Sequence, residues 1–272
     1  MEPTSEKPKR DYLLPASILL SAVIVCLALV YNAGKRVENG PDGASAGVAA
    51  APALENVRAV DQNDHFRGEK DATIVVVEFS DLECPFCKNF HETMNEVVAG
   101  YGGDVALVFR HFPLDGRHPK ARHEAEAAEC ANELGGNDKF WAYLDRLFAV
   151  TPSNNGLDPA ELPNIAEYVG LSKEKFTSCL SSEKHAARIQ ADEEEGAAAG
   201  VQGTPYSVLM LRNEASVGAK QFIAATNNEI AQQLSPGSPP TLFVAADGKR
   251  VGMNGALPYD LVKQVLDKLL NR

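Results

Sequence analysis

Basic residues are scarce in this chain. Its 272 residues include 26 lysines and arginines against 37 aspartates and glutamates, which gives a formal net charge of -11 at pH 7. Binding to a phosphate backbone needs a basic surface. The charge balance therefore excludes nucleic acid as an expected partner.

Residues that bind soft metals are also scarce. The chain has five cysteines, six histidines and four methionines, and only Cys84 and Cys87 form a C-x-x-C pair. A structural zinc site needs four ligands, and neither Cys130 nor Cys179 has a partner at that spacing. We therefore expect no metal and no other cofactor. Cysteine pairs also suit Cu(I), so a copper-binding thiol chaperone stays open as an alternative, although no histidine-rich tract lies nearby.

One long apolar run lacks charge altogether. Residues 12–31, YLLPASILLSAVIVCLALVY, would span roughly 30 Å as a helix, which is the thickness of a bilayer core. The apolar part of a cleaved signal peptide is shorter, about 7–15 residues. We predict an uncleaved signal anchor at 12–31 after a short cytoplasmic tail at 1–11. Three basic residues before the run and two soon after it weakly favour this orientation.

Aromatic residues are absent from the segment that follows. Residues 32–56 are rich in glycine, alanine and proline, a composition typical of a flexible linker. The remaining stretch, 57–272, is long enough to bury a core of its own. We predict one globular domain there.

The globular part has an α/β pattern. Apolar runs at 72–80 and 104–112 read as strands on either side of a helical segment, which predicts a β-α-β unit with a parallel pair. No strand pattern occurs at about 115–200, so we predict an all-helical insert, with the acidic run at 191–196 on a solvated face. Strands return at 203–211 and in a hairpin at 241–252; helices are expected around 219–233 and at 258–270.

The stretch FSDLECPFCKNFH holds the cysteine pair directly after the first strand. If the strand ends near Ser80, Pro85 takes the first helical position, where its missing N–H costs nothing. Cys84 then lies exposed at the N-cap, where the helix dipole favours a thiolate and can lower a cysteine pKa to about 3.5–7.5. Cys87 lies one turn further along the same face. This placement predicts a redox pair, with Cys84 as the attacking or attacked sulfur and Cys87 as the resolving one.

A purely structural role for this cysteine pair is disfavoured. A disulfide stabilises a fold more when it closes a long loop, and two intervening residues make a very short one. A binding module with an inert cysteine pair remains an alternative.

Glu78 interrupts the apolar run of the first strand. An ionised carboxylate in a buried strand is costly unless it is paired or protonated. Glu78 therefore either reaches water at an open face of the sheet or is a buried acid with a raised pKa. A buried acid could exchange a proton with Cys87.

Gly203, Thr204 and Pro205 lead into the third predicted strand. Proline is common at the first residue of a strand, but a Gly-Thr-Pro sequence also suits a cis proline in a tight loop. Pro240 is the rival position for a cis proline. We prefer Pro205, because it follows a helical stretch and a glycine-rich lead.

The stretch VEFSDLECPFC, followed far downstream by GVQGTPYSVL, resembles the DsbA-like thiol-disulfide oxidoreductases of the thioredoxin superfamily. The likeness is greatest to their membrane-tethered, four-cysteine type and covers most of residues 57–272. It implies a thioredoxin-like fold with an inserted helical subdomain, preceded by one transmembrane helix.

The resemblance also implies roles for individual residues. It makes Cys84, Pro85, Phe86 and Cys87 the redox motif, Glu78 the buried acid, Gly203, Thr204 and Pro205 the cis-proline loop that binds substrate, and Cys130 with Cys179 a structural disulfide. That bridge would close a loop of about 50 residues, worth about 4 kcal/mol in the chain-entropy model. Two buried free thiols are the alternative. A lasting bridge needs an oxidising compartment, which places the soluble part outside the cytoplasm.

The function implied by the resemblance is that of an oxidase in the inner membrane. It would donate the Cys84–Cys87 disulfide to unfolded or reduced secreted proteins and be recycled by a membrane redox partner. Phe86 departs from strongly oxidising members, which often carry histidine there, and its side chain cannot hydrogen-bond a thiolate. We therefore expect a less acidic Cys84 and a less oxidising disulfide, and a reductase or isomerase is the alternative.

Overall fold

The structure is a computed structural model that describes residues 53–272. The predicted tail at 1–11, the anchor at 12–31 and most of the predicted linker lie outside the described residues. Within the described part, no helix combines the length and the apolar character needed to cross a membrane.

A six-stranded mixed sheet runs through the domain in the order β1-β3-β2-β4-β6-β5. Strand β2 pairs with β3 in parallel and with β4 in antiparallel, and the hairpin of β5 and β6 extends the sheet beyond β4. The strands are β1 His65–Arg67, β2 Ile74–Ser80, β3 Val105–His111, β4 Tyr206–Leu211, β5 Leu242–Val244 and β6 Arg250–Asn254.

Seven α-helices flank the described sheet. They are α1 Pro85–Tyr101, α2 Ala121–Val150, α3 Leu162–Tyr168, α4 Lys173–Leu180, α5 Ala186–Ala198, α6 Val217–Ala231 and α7 Tyr259–Leu269. The β2-α1-β3 order, the parallel pair and the all-helical insert from α2 to α5 confirm the sequence prediction. Gly136, at a φ of 73°, interrupts α2 where the sequence places a glycine pair.

The central strand β2 carries the core on both of its faces. All seven of its residues are buried, which explains its continuous apolar run. Ile74 and Val76 pack into the layer that contains α1, whereas Val75 and Val77 pack into the opposite layer. Because side chains alternate along a strand, Glu78 lies on the same face as Ile74 and Val76. That face is the one covered by the helix that carries the cysteine pair.

A disulfide joins α2 to α4 in the helical insert. Cys130 and Cys179 are bonded, with their Cα atoms 5.8 Å apart. The bridge confirms the pairing implied by the resemblance. Ser172 caps α4 by accepting the backbone N–H of Lys175.

Two features of the fold differ from the sequence prediction. Strand β1 was not expected, because His-Phe-Arg contains no apolar run. It is an edge strand that pairs only with β3. Leu54, within the predicted linker, is fully buried in the core, so the domain includes the last residues of that segment.

The acidic run at 191–196 is only partly a solvated face: Glu194 is exposed, but the prediction was wrong for Asp192 and Glu195. Asp192 is buried and accepts the backbone N–H of His111 at 3.2 Å. Glu195 forms an ion pair with Arg110 at 2.5 Å and accepts the backbone N–H of Arg58 at 2.6 Å. The arginines that draw this run inward lie far away in the sequence, so its composition alone did not reveal them.

Candidate active site

The cysteine pair lies where β2 passes into α1. Strand β2 ends at Ser80, Cys84 is the N-cap of α1, and Pro85 opens the helix. This confirms the predicted local structure. Cys87, one turn further, is fully buried.

Cys84 is not exposed as predicted. Only 4% of its surface is accessible, because the loop before β4 covers it. Its Sγ lies 3.5 Å from the carbonyl oxygen of Thr204. The Thr204–Pro205 peptide bond is cis, and no other cis bond occurs among residues 53–272, which decides between Pro205 and Pro240.

The pKa values of the two thiols are shifted in opposite directions. A hydrogen bond from the Cys87 thiol, followed by bonds from the Cys87 backbone, Thr204 and the Phe86 backbone, lowers the pKa of Cys84 to about 6, although burial opposes the shift. Burial raises the pKa of Cys87 well above its usual range, and the nearby Cys84 and Glu78 charges add to this. At neutral pH the reduced pair therefore holds a thiolate at Cys84 and a thiol at Cys87.

Glu78 is a buried acid rather than an edge residue. Only 1% of its surface is accessible, and its Oε2 atom has no hydrogen-bond partner among the described residues. Burial, with a further contribution from the Cys84 charge, raises the pKa of Glu78 from 4.5 to about 7. Glu78 can thus hold or release a proton near neutral pH, close enough to Cys87 for its charge to act on that thiol.

The raised pKa of Glu78 predicts a pH-dependent stability. The folded pKa of about 7 lies above the ordinary 4.5, so the stability of the reduced protein falls as pH rises between these values. Replacing Glu78 by glutamine removes this cost. We expect the advantage of Glu78→Gln over wild type in unfolding free energy to grow by about 3 kcal/mol from pH ~4.5 to pH ~8.

Equilibrium urea unfolding of the reduced protein at several pH values measures this effect. Glu69→Gln is the matched control, because Glu69 is exposed. Parallel pH profiles for the two variants would show that Glu78 has no raised pKa.

A groove of about 710 Å³ opens beside Cys84. One side is formed by the start of α1, where Phe86 is 62% exposed, and another by the loop that ends at Thr204. The rest of the lining comes from segment 112–118, the loop containing Asn154, and Glu193 of α5. Cys84, the more acidic of the two cysteines, therefore lies beside an open and partly apolar surface.

Three buried acids near this groove were missed by sequence reasoning. Asp81 and Glu83 lie in the turn between β2 and Cys84, and Glu124 lies in the first turn of α2. The available signal was two acidic residues in SDLEC, directly before the cysteine pair and next to a buried strand.

The described residues contain one grouping of potential metal ligands. It consists of Cys130, Cys179 and His185, but the two sulfurs are bonded to each other. A disulfide does not offer the thiolates that metals prefer, so this grouping does not fit a metal.

Comparisons with known proteins agree with this architecture. A family model described as thioredoxin matches residues 60–222, and the chain belongs to that family. DsbA2 of Pseudomonas aeruginosa aligns with a TM-score of 0.56 at 25% identity, over 77% of this chain and 96% of that chain. The alpha-DsbA1 of Wolbachia pipientis aligns with a TM-score of 0.58 at 19% identity, over 80% of this chain and 96% of that one, and shows the same fold. The chain thus has the fold of the DsbA-type thiol-disulfide oxidoreductases, with a C-x-x-C pair at the start of α1.

A curated relative of a different kind shares part of the sequence. The Na(+)/H(+) antiporter NhaA 3 of Salinispora tropica is 38% identical over 142 residues, which are 52% of this chain and 21% of the antiporter. The chain thus matches about a fifth of the length of that relative.

Proposed function

We propose that this protein is an oxidase that donates the Cys84–Cys87 disulfide to folding secreted proteins. The lowered pKa of Cys84 is the observation that carries the proposal. A thiolate that is stabilised at neutral pH stabilises the reduced pair, which makes the disulfide a better oxidant. A Cys84 pKa of about 6 rather than 9.0 shifts the equilibrium toward the reduced protein about tenfold at pH ~7. This raises the redox potential by about 30 mV.

The proposed reaction transfers the disulfide in two exchanges. A substrate thiolate attacks Sγ of Cys84, the Cys84–Cys87 bond breaks, and Cys87 leaves with the electron pair. Protonated Glu78 supplies a proton to Cys87, whose high pKa favours the thiol. A second substrate thiolate then attacks the substrate sulfur of the mixed disulfide. This forms the substrate disulfide and releases Cys84 as a thiolate.

The groove and the cis-proline loop are the proposed binding site for an extended substrate chain. Gly203 and Thr204 line the groove together with Cys84, so a chain lying there would pass directly over the reactive sulfur. The exposed ring of Phe86 offers an apolar contact to unfolded segments. After each turnover, a membrane redox partner would restore the Cys84–Cys87 disulfide.

The proposed location is the inner membrane, with the catalytic domain outside the cytoplasm. The apolar run at 12–31 supports the anchor, and the Cys130–Cys179 disulfide supports an oxidising compartment. Resistance of the full-length protein to carbonate extraction, with protease access from the outer side only, tests both parts.

Oxidation of a reduced peptide tests the proposed activity. The oxidised full-length protein is mixed with a peptide that contains two thiols, and peptide disulfide is quantified by mass spectrometry. We expect transfer of one disulfide per protein molecule without added oxidant. Retention of the Cys84–Cys87 disulfide in the presence of excess peptide thiol would contradict the oxidase proposal and favour a reductase.

A further inference from the structure

Asp81 anchors one wall of the groove to the start of the active-site helix. Its Oδ2 atom accepts the Leu114 N–H at 2.8 Å and lies 3.0 Å from Nδ1 of His118. Its Oδ1 atom accepts the Glu83 N–H at 2.8 Å. One buried carboxylate thus fixes both the 112–118 segment and the turn that presents Cys84.

Glu83 anchors the other wall. Its backbone carbonyl accepts the Asn154 N–H at 2.8 Å, and its Oε2 atom accepts the Asn155 N–H. Ser153, Asn154 and Asn155 have φ values of 63°, 52° and 64°, which residues other than glycine rarely adopt. Such a turn persists only where its surroundings hold it, and Glu83 accepts two of its N–H groups.

The second oxygen of Glu83 needs a proton from elsewhere. Glu83 Oε1 and Glu124 Oε2 are both buried and have no other hydrogen-bond partner, and a side-chain hydrogen bond with Glu83 contributes to the raised pKa of Glu124. Two carboxylates cannot donate to one another, whereas one shared proton satisfies both oxygens. Burial, followed by the hydrogen bond to Glu83, raises the pKa of Glu124 to about 10, so Glu124 carries that proton.

Other charged groups also lie close to Glu83 and Glu124. Asp81 adds negative charge, and Lys120 adds a positive charge that partly offsets it. Lys120 also donates to the carbonyl oxygens of Asn155 and Leu157, so it holds the same loop. His118, which contacts Asp81, and Tyr143, on which the Glu124 charge acts, also belong to this cluster.

We propose that Glu83 and Glu124 are positioning residues: their shared proton fixes the Glu83 carboxyl, and Glu83 fixes the 153–155 turn in the wall of the substrate groove. The inference rests on the proposed docking of a peptide in this groove, but not on the direction of electron transfer. It requires no contact between either carboxyl and the reacting sulfurs. Loss of the pair should therefore weaken peptide binding while leaving exchange with a small disulfide unchanged.

Carboxyl NMR tests for the shared proton. In the full-length protein labelled with ¹³C at glutamate Cδ, we expect one protonated glutamate at pH ~8.5, where Glu78 is ionised. Glu124→Gln should remove this signal, and Glu83→Gln should lower the pH at which it titrates. If every glutamate is ionised at that pH in the wild type, the proposal is wrong.

Kinetics test for positioning. We expect Glu124→Ala to raise KM for a reduced dithiol peptide roughly tenfold, because Glu83 loses a hydrogen bond. The rate of exchange with glutathione should stay within about twofold, since Cys84 is untouched. Glu124→Gln, whose amide can still donate to Glu83, should restore the KM. Glu174→Gln, at an exposed site of α4, is the control.

The outcomes separate the two proposals. Equal losses toward peptide and glutathione in Glu124→Ala, or an unchanged KM, would overturn the positioning role. If circular dichroism shows that Glu124→Ala is unfolded, the NMR result and the KM of Glu83→Ala decide instead, and we expect a raised KM because alanine no longer accepts the Asn155 N–H. If the wild type itself does not exchange with glutathione, the proposed function is wrong, and the positioning role that rests on it falls with it.

Discussion

Replacing Cys84 by serine is expected to abolish disulfide transfer, with a loss of at least roughly a thousandfold. Cys84 is the sulfur with the lowered pKa and lies beside the groove, so it is the only one of the pair that a substrate thiolate can reach. Serine is a favourable N-cap residue, so α1 should begin at the same place in the variant. The loss should therefore reflect chemistry rather than unfolding.

Replacing Cys87 by serine should have a different consequence. Cys84 in this variant still attacks a substrate disulfide, but no second sulfur remains to release the product. We expect a stable mixed disulfide, visible on a non-reducing gel and absent from Cys84→Ser. Two results would show that the roles of Cys84 and Cys87 are wrongly assigned. One is an equal transfer rate in wild type and Cys84→Ser, and the other is a mixed disulfide formed through Cys87 in Cys84→Ser.

Removing the Cys130–Cys179 bridge is expected to lower the free energy of unfolding by about 4 kcal/mol. The bridge spans a sequence separation of 49 and restricts the unfolded chain. The double variant Cys130→Ala/Cys179→Ala, compared with wild type in urea, measures the difference. Peptide oxidation should continue, because the bridge lies in the helical insert and Cys84 and Cys87 are retained.

A reducing agent provides the control for this measurement. Under strong reduction the wild type loses the bridge as well, so its stability should approach that of the double variant. A difference below about 1 kcal/mol under oxidising conditions would show that the bridge does not stabilise the domain.

Local patterns in the sequence predicted much of the fold and of the candidate site. The valine-rich run predicted β2, Pro85 marked the start of α1, and Gly-Thr-Pro marked the cis-proline loop. Each of these features depends on propensities that act over a few residues. The pairing of Cys130 with Cys179 and the burial of Glu78 were both implied by the family resemblance, whereas the residues alone left the position of Glu78 open.

Features that depend on distant partners could not be predicted. The burial of Cys84 arises from a loop that lies 120 residues away in the chain. The proton shared by Glu83 and Glu124 depends on the turn before α1, the start of α2 and a left-handed turn, which meet only in the folded domain. Asp192 and Glu195 read as solvated because the sequence gives no sign that Arg58 and Arg110 lie beside them.

The direction of electron transfer is the central claim, and the redox potential of Cys84–Cys87 tests it most directly. Equilibration of the full-length protein with glutathione over a range of pH gives this potential. Above the pKa of Cys84, the reduced pair binds one proton fewer than below it. The potential should therefore fall by about 59 mV per pH unit below pH ~6 and by about 30 mV above it.

At pH ~7 we expect a potential between about -200 and -120 mV, which is more oxidising than the potential of a thioredoxin-type reductase. Phe86 leaves Cys84 without a side-chain donor at that position, which favours the lower part of this range. A value at or below about -270 mV, the potential of thioredoxin, would contradict the oxidase account.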